Sequence, residues 1–231
     1  MTPLERETKL TVSADDYRLI LGKGRVLEIR DQLNVYLHDP VRLAEGLGYF
    51  RVRFEAGREA VATLKIPAGW HGDTREMIEV ERPLRELGPA LYPRPRRWVA
   101  VDTGLPEELL KHFHSLGITR LRRLGWMRNL RCVVGLRPTG VEGRRHTGFE
   151  ELESAGVGKL EVAGILEVDR TVLPGGMILH EVEIESPSDE THRQLVERVR
   201  ELAASAAITR IGKFDRFLAA LGLSGAAADG G

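Results

Sequence analysis

The chain has 231 residues, 42% of them hydrophobic, and its 34 basic side chains balance 34 acidic ones. That length suits one large domain or two small ones, and a formal charge of zero provides no net field to attract nucleic acid or a membrane surface. The single cysteine, Cys132, excludes an intramolecular disulfide and a cysteine-cluster metal site. The sequence contains no apolar signal core and no run of ~18 apolar residues, so we expect a cytoplasmic protein.

Alternation of apolar and polar residues with a period of two indicates β-strands in much of the chain. It predicts eight strands, at 4–12, 25–38, 49–56, 60–66, 76–82, 129–135, 160–170 and 178–186. Capping residues and helical spacing predict helices at 13–21, 106–116, 189–206 and 213–221. Segments 88–97 and 138–158 are rich in Gly, Pro or charge and are predicted loops.

Eight is the number of strands at which an antiparallel sheet can close into a small barrel. The sequence shows no linker, so we predict one mainly β domain over residues 1–222. A disordered tail is predicted at 223–231.

Charged residues within the predicted strands fall on one face of each strand, because side chains two positions apart point the same way. The opposite faces are apolar. The charged faces contain Glu5, Glu7 and Lys9; Arg51 and Arg53; Lys65; Glu79 and Glu81; Glu167 and Asp169; and Glu181, Glu183 and Glu185.

A half-exposed sheet with a solvated polar face is the ordinary explanation of such a pattern. Here, however, the faces are almost purely acidic or purely basic, and neighbouring glutamates on one strand repel by up to about 1 kcal/mol. We therefore favour a barrel whose interior is ionic and whose apolar side lies under helices. Carboxylates alone suit Mg²⁺ or Mn²⁺, whereas converging Arg and Lys suit a phosphate chain.

The segment Glu5-Arg-Glu7-Thr-Lys9 resembles the E-x-E-x-K signature of the CYTH, or triphosphate tunnel metalloenzyme, superfamily. Further similar motifs follow in the same order along nearly the whole chain. They are Gln32-Leu-Asn34-Val-Tyr36, Arg51-Val-Arg53, Thr63-Leu-Lys65, Glu79-Val-Glu81, Arg128-Asn-Leu-Arg131, Leu166-Glu167-Val-Asp169, His180-Glu181-Val-Glu183-Ile-Glu185 and Gly212-Lys213-Phe214. The resemblance implies a closed eight-stranded antiparallel barrel with helices packed outside.

The resemblance also implies a role for each ionic residue. The metal ligands would be Glu5, Glu7, Glu181, Glu183 and Glu185. The phosphate-binding residues would be Lys9, Arg51, Arg53, Lys65, Arg131 and Lys213, with Lys9, Arg53 and Glu183 acting directly in catalysis. Glu79, Glu81, Glu167 and Asp169 would complete the tunnel by binding metal, holding basic side chains or positioning water.

The implied reaction is metal-assisted attack of water on the terminal phosphoryl group of a small triphosphate. We expect inorganic tripolyphosphate to be the substrate, because no base-binding motif is recognisable. Thiamine triphosphate or a nucleoside triphosphate remains an alternative substrate. Class IV adenylate cyclase activity and a polyphosphate-binding module without turnover are alternative functions.

Some positions depart from the family pattern. His38 and Asp39 replace the usual Asp and Thr, Met77 replaces an Arg, and Gly212 replaces a Ser. Segment 138–158 resembles an insertion. The expected partner is a small triphosphate rather than nucleic acid or a membrane, and the sequence leaves the oligomeric state open.

Overall fold

A computed structural model describes residues 4–38, 48–84, 98–100, 105–115, 117–136, 164–186 and 188–223. The predicted loops at 88–97 and 138–158 lie wholly outside these ranges, as does most of the predicted tail. No helix in the described ranges is both long and apolar enough to cross a membrane. The cytoplasmic location stays a prediction.

Ten strands and four helices are present in the described ranges. The strands are β1 (Leu4–Thr11), β2 (Arg25–His38), β3 (Tyr49–Glu55), β4 (Ala60–His71), β5 (Thr74–Leu84), β6 (Trp98–Ala100), β7 (Arg120–Leu136), β8 (Gly164–Val172), β9 (Ile178–Glu185) and β10 (Ala207–Ile208). The helices are α1 (Ala14–Lys23), α2 (Glu107–Ser115), α3 (Asp189–Leu202) and α4 (Lys213–Ala220). The side chains of Ser13 and Ser188 cap α1 and α3 by accepting hydrogen bonds from the backbone N–H groups of Asp16 and Thr191.

The strands form an antiparallel barrel. Successive pairings run β1–β5–β4–β3–β2–β7–β8–β9, and β9 pairs with β1 again. β1 pairs with both neighbouring strands: residues 4–7 pair with β5, and residues 7–11 pair with β9. The predicted eight-stranded barrel is therefore confirmed, with the short strands β6 and β10 added at its margin.

The apolar faces of the strands lie outside, under three of the helices. Leu109 and Phe113 of α2 pack on the outer faces of β2 to β5, where Phe50 meets Phe113 edge-on at a ring separation of 5.1 Å. α1 and α3 cover the outer faces of β1, β7, β8 and β9. Each helix therefore buries the apolar stripe that its spacing predicts, and the ionic faces are left to the interior.

The last helix, α4, packs against aromatic residues that share the ionic face of β2 and β3. Phe217 lies 4.8 Å from Tyr36 and Phe214 lies 4.6 Å from Tyr49, measured between ring centroids. A Cβ at Gly125 would lie 3.1 Å from Phe217 Cζ, which is a tight contact, so glycine at this position favours the close approach of α4 to β7. α4 therefore adjoins the barrel interior rather than its outer surface.

Several predicted boundaries are wrong. α3 ends at Leu202 instead of residue 206, because β10 pairs with β1. β4 and β5 extend beyond residues 66 and 76 toward a turn at Gly72, and β7 begins at residue 120 rather than 129. These extensions depend on pairing between distant strands, which local sequence patterns do not encode.

Candidate functional site

The ionic faces of the strands meet inside the barrel. Across the ladders, Lys9 is opposite Glu183, Asp169 is opposite both Arg131 and Glu181, and Thr63 is opposite both Arg51 and Glu81. Glu185 lies at the exposed end of β9, opposite Glu7. Glu5 belongs to β1, but its side chain lies outside the described part of the chain, so its assignment stays a prediction.

Glu183 is the centre of a buried ion-pair cluster. Its Oε1 accepts hydrogen bonds from Lys9 Nζ at 2.7 Å and from Lys213 Nζ at 2.5 Å, and its Oε2 accepts one from Arg131 Nη2 at 2.5 Å. Lys9 Nζ also contacts Glu7 at 2.7 Å. Burial alone would raise the pKa of Glu183, but Lys213, Lys9 and Arg131 hold it well below its usual range.

Asp169 forms the second half of this cluster. It accepts two hydrogen bonds from Arg131 in a bidentate contact, from Nε at 2.9 Å and from Nη2 at 2.8 Å. It also forms an ion pair with Lys213. Burial opposes ionisation, yet Arg131 and Lys213 lower the pKa of Asp169 to about 2. Arg131 pairs with Glu167 as well, so one guanidinium links three carboxylates.

Glu181 differs from both of these carboxylates. Its side chain is 0% exposed, and neither of its oxygens has a hydrogen-bond partner among the described residues. The cations that face it are Lys213 Nζ at 3.5 Å and Arg216 Nε at 3.9 Å. Burial raises the pKa of Glu181, and Lys213 and Lys9 do not fully offset it.

We expect Glu181→Gln to stabilise the metal-free protein at pH 8 by on the order of 1 kcal/mol. A carboxyl whose pKa is raised by folding costs stability when it is ionised, and the cost disappears as the pH falls through the folded-state pKa. The gain should therefore shrink toward acidic pH. Urea unfolding in EDTA at several pH values measures it, with exposed Glu197→Gln of α3 as the control. A less stable Glu181→Gln protein at pH 8 would contradict the assignment.

The other side of the interior contains basic residues from β3 and β4. Lys65 Nζ contacts Glu79 at 2.9 Å, and Arg51 Nη2 lies 3.7 Å from both Glu79 and Glu81. Thr63 donates a hydrogen bond to Glu81 at 2.8 Å. Thus Glu79 and Glu81 hold basic side chains in this structure.

Arg53 has a different environment from its neighbour Arg51. Its Nε donates to Asn34 Oδ1 at 3.3 Å, and no carboxylate in the described ranges lies within ion-pair distance of it. Burial, followed by the charges of Arg51 and Arg131, lowers the pKa of Arg53 to about 10. A half-buried guanidinium without a carboxylate partner among the described residues is suited to bind an anion.

Two features of the interior were not predicted from the sequence. The first is a chain of hydrogen bonds that connects Glu55 to Asp169 through Gln32 and Asn129. Thr171 donates a further hydrogen bond to Asn129. Gln32 and Asn34 are two positions apart on β2, and Asn129 and Arg131 are two positions apart on β7. This spacing could have indicated that each pair points inward. The second feature is Arg216, which lies one helical turn after Lys213.

The carboxylates of β1 and β9 fit a hard divalent cation in their chemistry. Their metal-ligand atoms are all oxygens. Both Glu181 oxygens are buried without a hydrogen-bond donor among the described residues, so a bound cation would supply the partner that they need. No group of three or more carboxylate, histidine or cysteine side chains in the described ranges is arranged to hold a metal ion. The cause is visible, because Lys9, Arg131 and Lys213 occupy the oxygens of Glu183 and Asp169.

No protein-family model and no curated protein sequence matches the chain. Solved structures do match. HpAC1 from Hippeastrum, a candidate adenylyl cyclase described as having a dominant triphosphatase activity, is 20% identical, with a TM-score of 0.65 over 93% of this chain and 95% of its own. A candidate adenylate cyclase from Bacillus halodurans is 20% identical, with a TM-score of 0.60 over 92% and 96%.

A third structure, the PH1819 protein from Pyrococcus horikoshii, is 15% identical, with a TM-score of 0.54 over 94% of this chain and 99% of its own. At these identities the similarity concerns the fold. Together with the barrel described above, it confirms the predicted fold: the chain is an antiparallel β-barrel with the fold of these three proteins.

Proposed function

We propose that this protein is a divalent-metal-dependent hydrolase that cleaves the terminal phosphate of a small triphosphate, with inorganic tripolyphosphate as the preferred substrate. The observation that carries the proposal is Arg53, a half-buried guanidinium that faces the barrel interior with no carboxylate partner in the described ranges. An anion that enters the barrel would relieve its repulsion with Arg51 and Arg131.

The two sides of the interior would have different roles, one in binding phosphate and the other in binding metal. Arg53, Arg51 and Lys65 of β3 and β4 would bind phosphate oxygens, and planar guanidinium groups offer two parallel donors to such an anion. Lys9 and Arg131, which pair with the carboxylates of β1, β8 and β9, would reach the same phosphate chain from the carboxylate side. Charge that develops on the transferred phosphoryl group and the leaving diphosphate would be stabilised by fixed donors.

The opposite side would hold Mg²⁺ or Mn²⁺. The ligands would come from Glu7, Glu181, Glu183 and Glu185, and from Glu5 as predicted by the sequence. The bound cation would neutralise phosphate oxygens and lower the pKa of a bound water. Glu167, whose pKa is raised by burial and by Glu183 against the effect of Arg131, would act as the base that accepts a proton from the attacking water.

The neighbouring structures support a triphosphate as the ligand, because HpAC1 is described as having a dominant triphosphatase activity. Two neighbours are also named as candidate adenylate cyclases, so ATP cyclisation is the second candidate function. The preference for tripolyphosphate rests on the interior itself. Its described ionic residues can all bind phosphate or metal, and none of them requires an organic group.

We expect phosphate release from tripolyphosphate that needs Mg²⁺ or Mn²⁺, stops in EDTA and exceeds release from ATP or thiamine triphosphate. A phosphate-release assay across these substrates measures it, with cyclic AMP formation from ATP assayed in parallel. Undiminished turnover in EDTA would contradict the metal requirement. Cyclic AMP as the main product would favour the second function, and tight tripolyphosphate binding without turnover would indicate a binding module.

A further inference from the structure

Arg216 of α4 is held at one edge and unsatisfied at the other. Its Nη2 donates to Thr209 Oγ1 at 3.1 Å, and the Thr209 backbone N–H donates to the Lys9 carbonyl of β1 at 2.9 Å. Its Nε is buried and has no hydrogen-bond partner in the described part of the chain. Buried donors are usually satisfied, so this N–H on a fixed guanidinium is available to bind an acceptor atom of a ligand.

The orphaned Nε faces the interior. The nearest carboxylate oxygen is Glu181 Oε1 at 3.9 Å, which is too far for a hydrogen bond. Lys213, one turn earlier on α4, reaches Glu183 Oε1 at 2.5 Å. The aromatic contacts of Phe214 and Phe217 fix the helix that delivers both cations. Arg216 is therefore positioned at the carboxylate side without being bonded to it.

We propose that Arg216 is a phosphate-binding residue of the barrel interior. This inference rests on the proposed function, because it assigns the unsatisfied edge of the guanidinium to an oxygen of the triphosphate chain. A guanidinium edge matches a phosphate oxygen in charge and in donor geometry. A divalent cation on Glu181 would repel Arg216, so the same positive charge should weaken metal binding while it strengthens phosphate binding.

Opposite effects on the two ligands distinguish this role from a structural one. We expect Arg216→Gln to raise the KM for tripolyphosphate about 10–100-fold with little change in kcat, whereas Mn²⁺ binding without phosphate stays equal or becomes up to about 10-fold tighter. Arg216→Lys should restore part of the KM. Steady-state kinetics and calorimetric Mn²⁺ titration measure these effects.

The control is Arg210→Gln, which removes the same charge three residues before Lys213. Arg210 is exposed and contacts Gly72 O at 3.4 Å and Asp73 at 3.6 Å, on the turn between β4 and β5. We expect this variant to match the wild type in both measurements.

Three outcomes would overturn the inference: an unchanged KM in Arg216→Gln, a parallel loss of Mn²⁺ and tripolyphosphate affinity with a lower Tm, or no rescue by lysine. Calorimetric binding of tripolyphosphate in EDTA separates this inference from the proposed function. If the wild type binds tripolyphosphate without cleaving it, the proposed hydrolase activity is wrong. Weaker binding by Arg216→Gln would still support the assignment of Arg216 as a phosphate-binding residue. A wild type that does not bind tripolyphosphate overturns both.

Discussion

Replacement of Arg53 by glutamine should lower kcat/KM for tripolyphosphate by about 10²–10³-fold, because fixed cationic donors on a transferred phosphoryl group contribute effects of that order. The loss should be similar for every triphosphate that the protein cleaves, since Arg53 would contact the common phosphate chain. Steady-state phosphate release with each substrate measures it. Glutamine retains an amide that can donate to Asn34, so the variant removes mainly the charge.

The same substitution should stabilise the ligand-free protein by on the order of 1 kcal/mol. Folding lowers the pKa of Arg53 to about 10, so the fold disfavours its charged form. That cost is present at neutral pH and falls as the pH rises through the folded-state value. Urea unfolding in EDTA at pH 7.5 measures the gain.

Arg128→Gln is the matched control, because Arg128 lies on the outer face of β7 and pairs with exposed Asp31. It should change neither kinetics nor stability appreciably. A loss confined to one substrate, or a less stable Arg53→Gln protein, would show that Arg53 is not the anion site.

Strand parity alone predicted which charged residues would face the interior. It places Glu181, Glu183 and Glu185 on one side of β9, and the pairing with β1 then sets Lys9 opposite Glu183. Parity could not predict that Glu183 has three cationic partners while Glu181 has no hydrogen bond to any described residue. That difference depends on the reach of Arg131 from β7 and on the position of α4, both of which are tertiary features.

Element boundaries were less predictable where long-range pairing opposes local propensity. The alanine-rich stretch at 203–207 favours a continued helix, yet Ala207 and Ile208 pair with Thr11 and Leu10 of β1. Likewise, Arg216 could not be assigned from one sequence, because its spacing from Lys213 equally suits a surface position on a short helix.

Glu183→Gln should lower turnover by about 10³-fold, because it removes a predicted metal ligand and the central partner of the basic residues. It should also destabilise the metal-free protein by about 3–5 kcal/mol, the usual cost of removing one partner from a buried ion pair. Lys9, Lys213 and Arg131 would each lose an anionic partner that now lies 2.5–2.7 Å away. Phosphate release and urea unfolding in EDTA measure the two effects.

The pH dependence tests the cause of this destabilisation. The pKa of Glu183 is well below its usual range, so its stabilisation is present above the unfolded pKa and is lost as the pH falls through the folded one. The difference in unfolding free energy between wild type and Glu183→Gln should therefore narrow on acidification.

Adding Lys213→Met to Glu183→Gln should recover part of the stability, since it removes one of the cations that lost a partner. Glu181→Gln, two residues away on the same strand and equally buried, should shift stability in the opposite direction. Equal losses in the two variants would show that burial of the strand, rather than the ion pairs of Glu183, determines the effect.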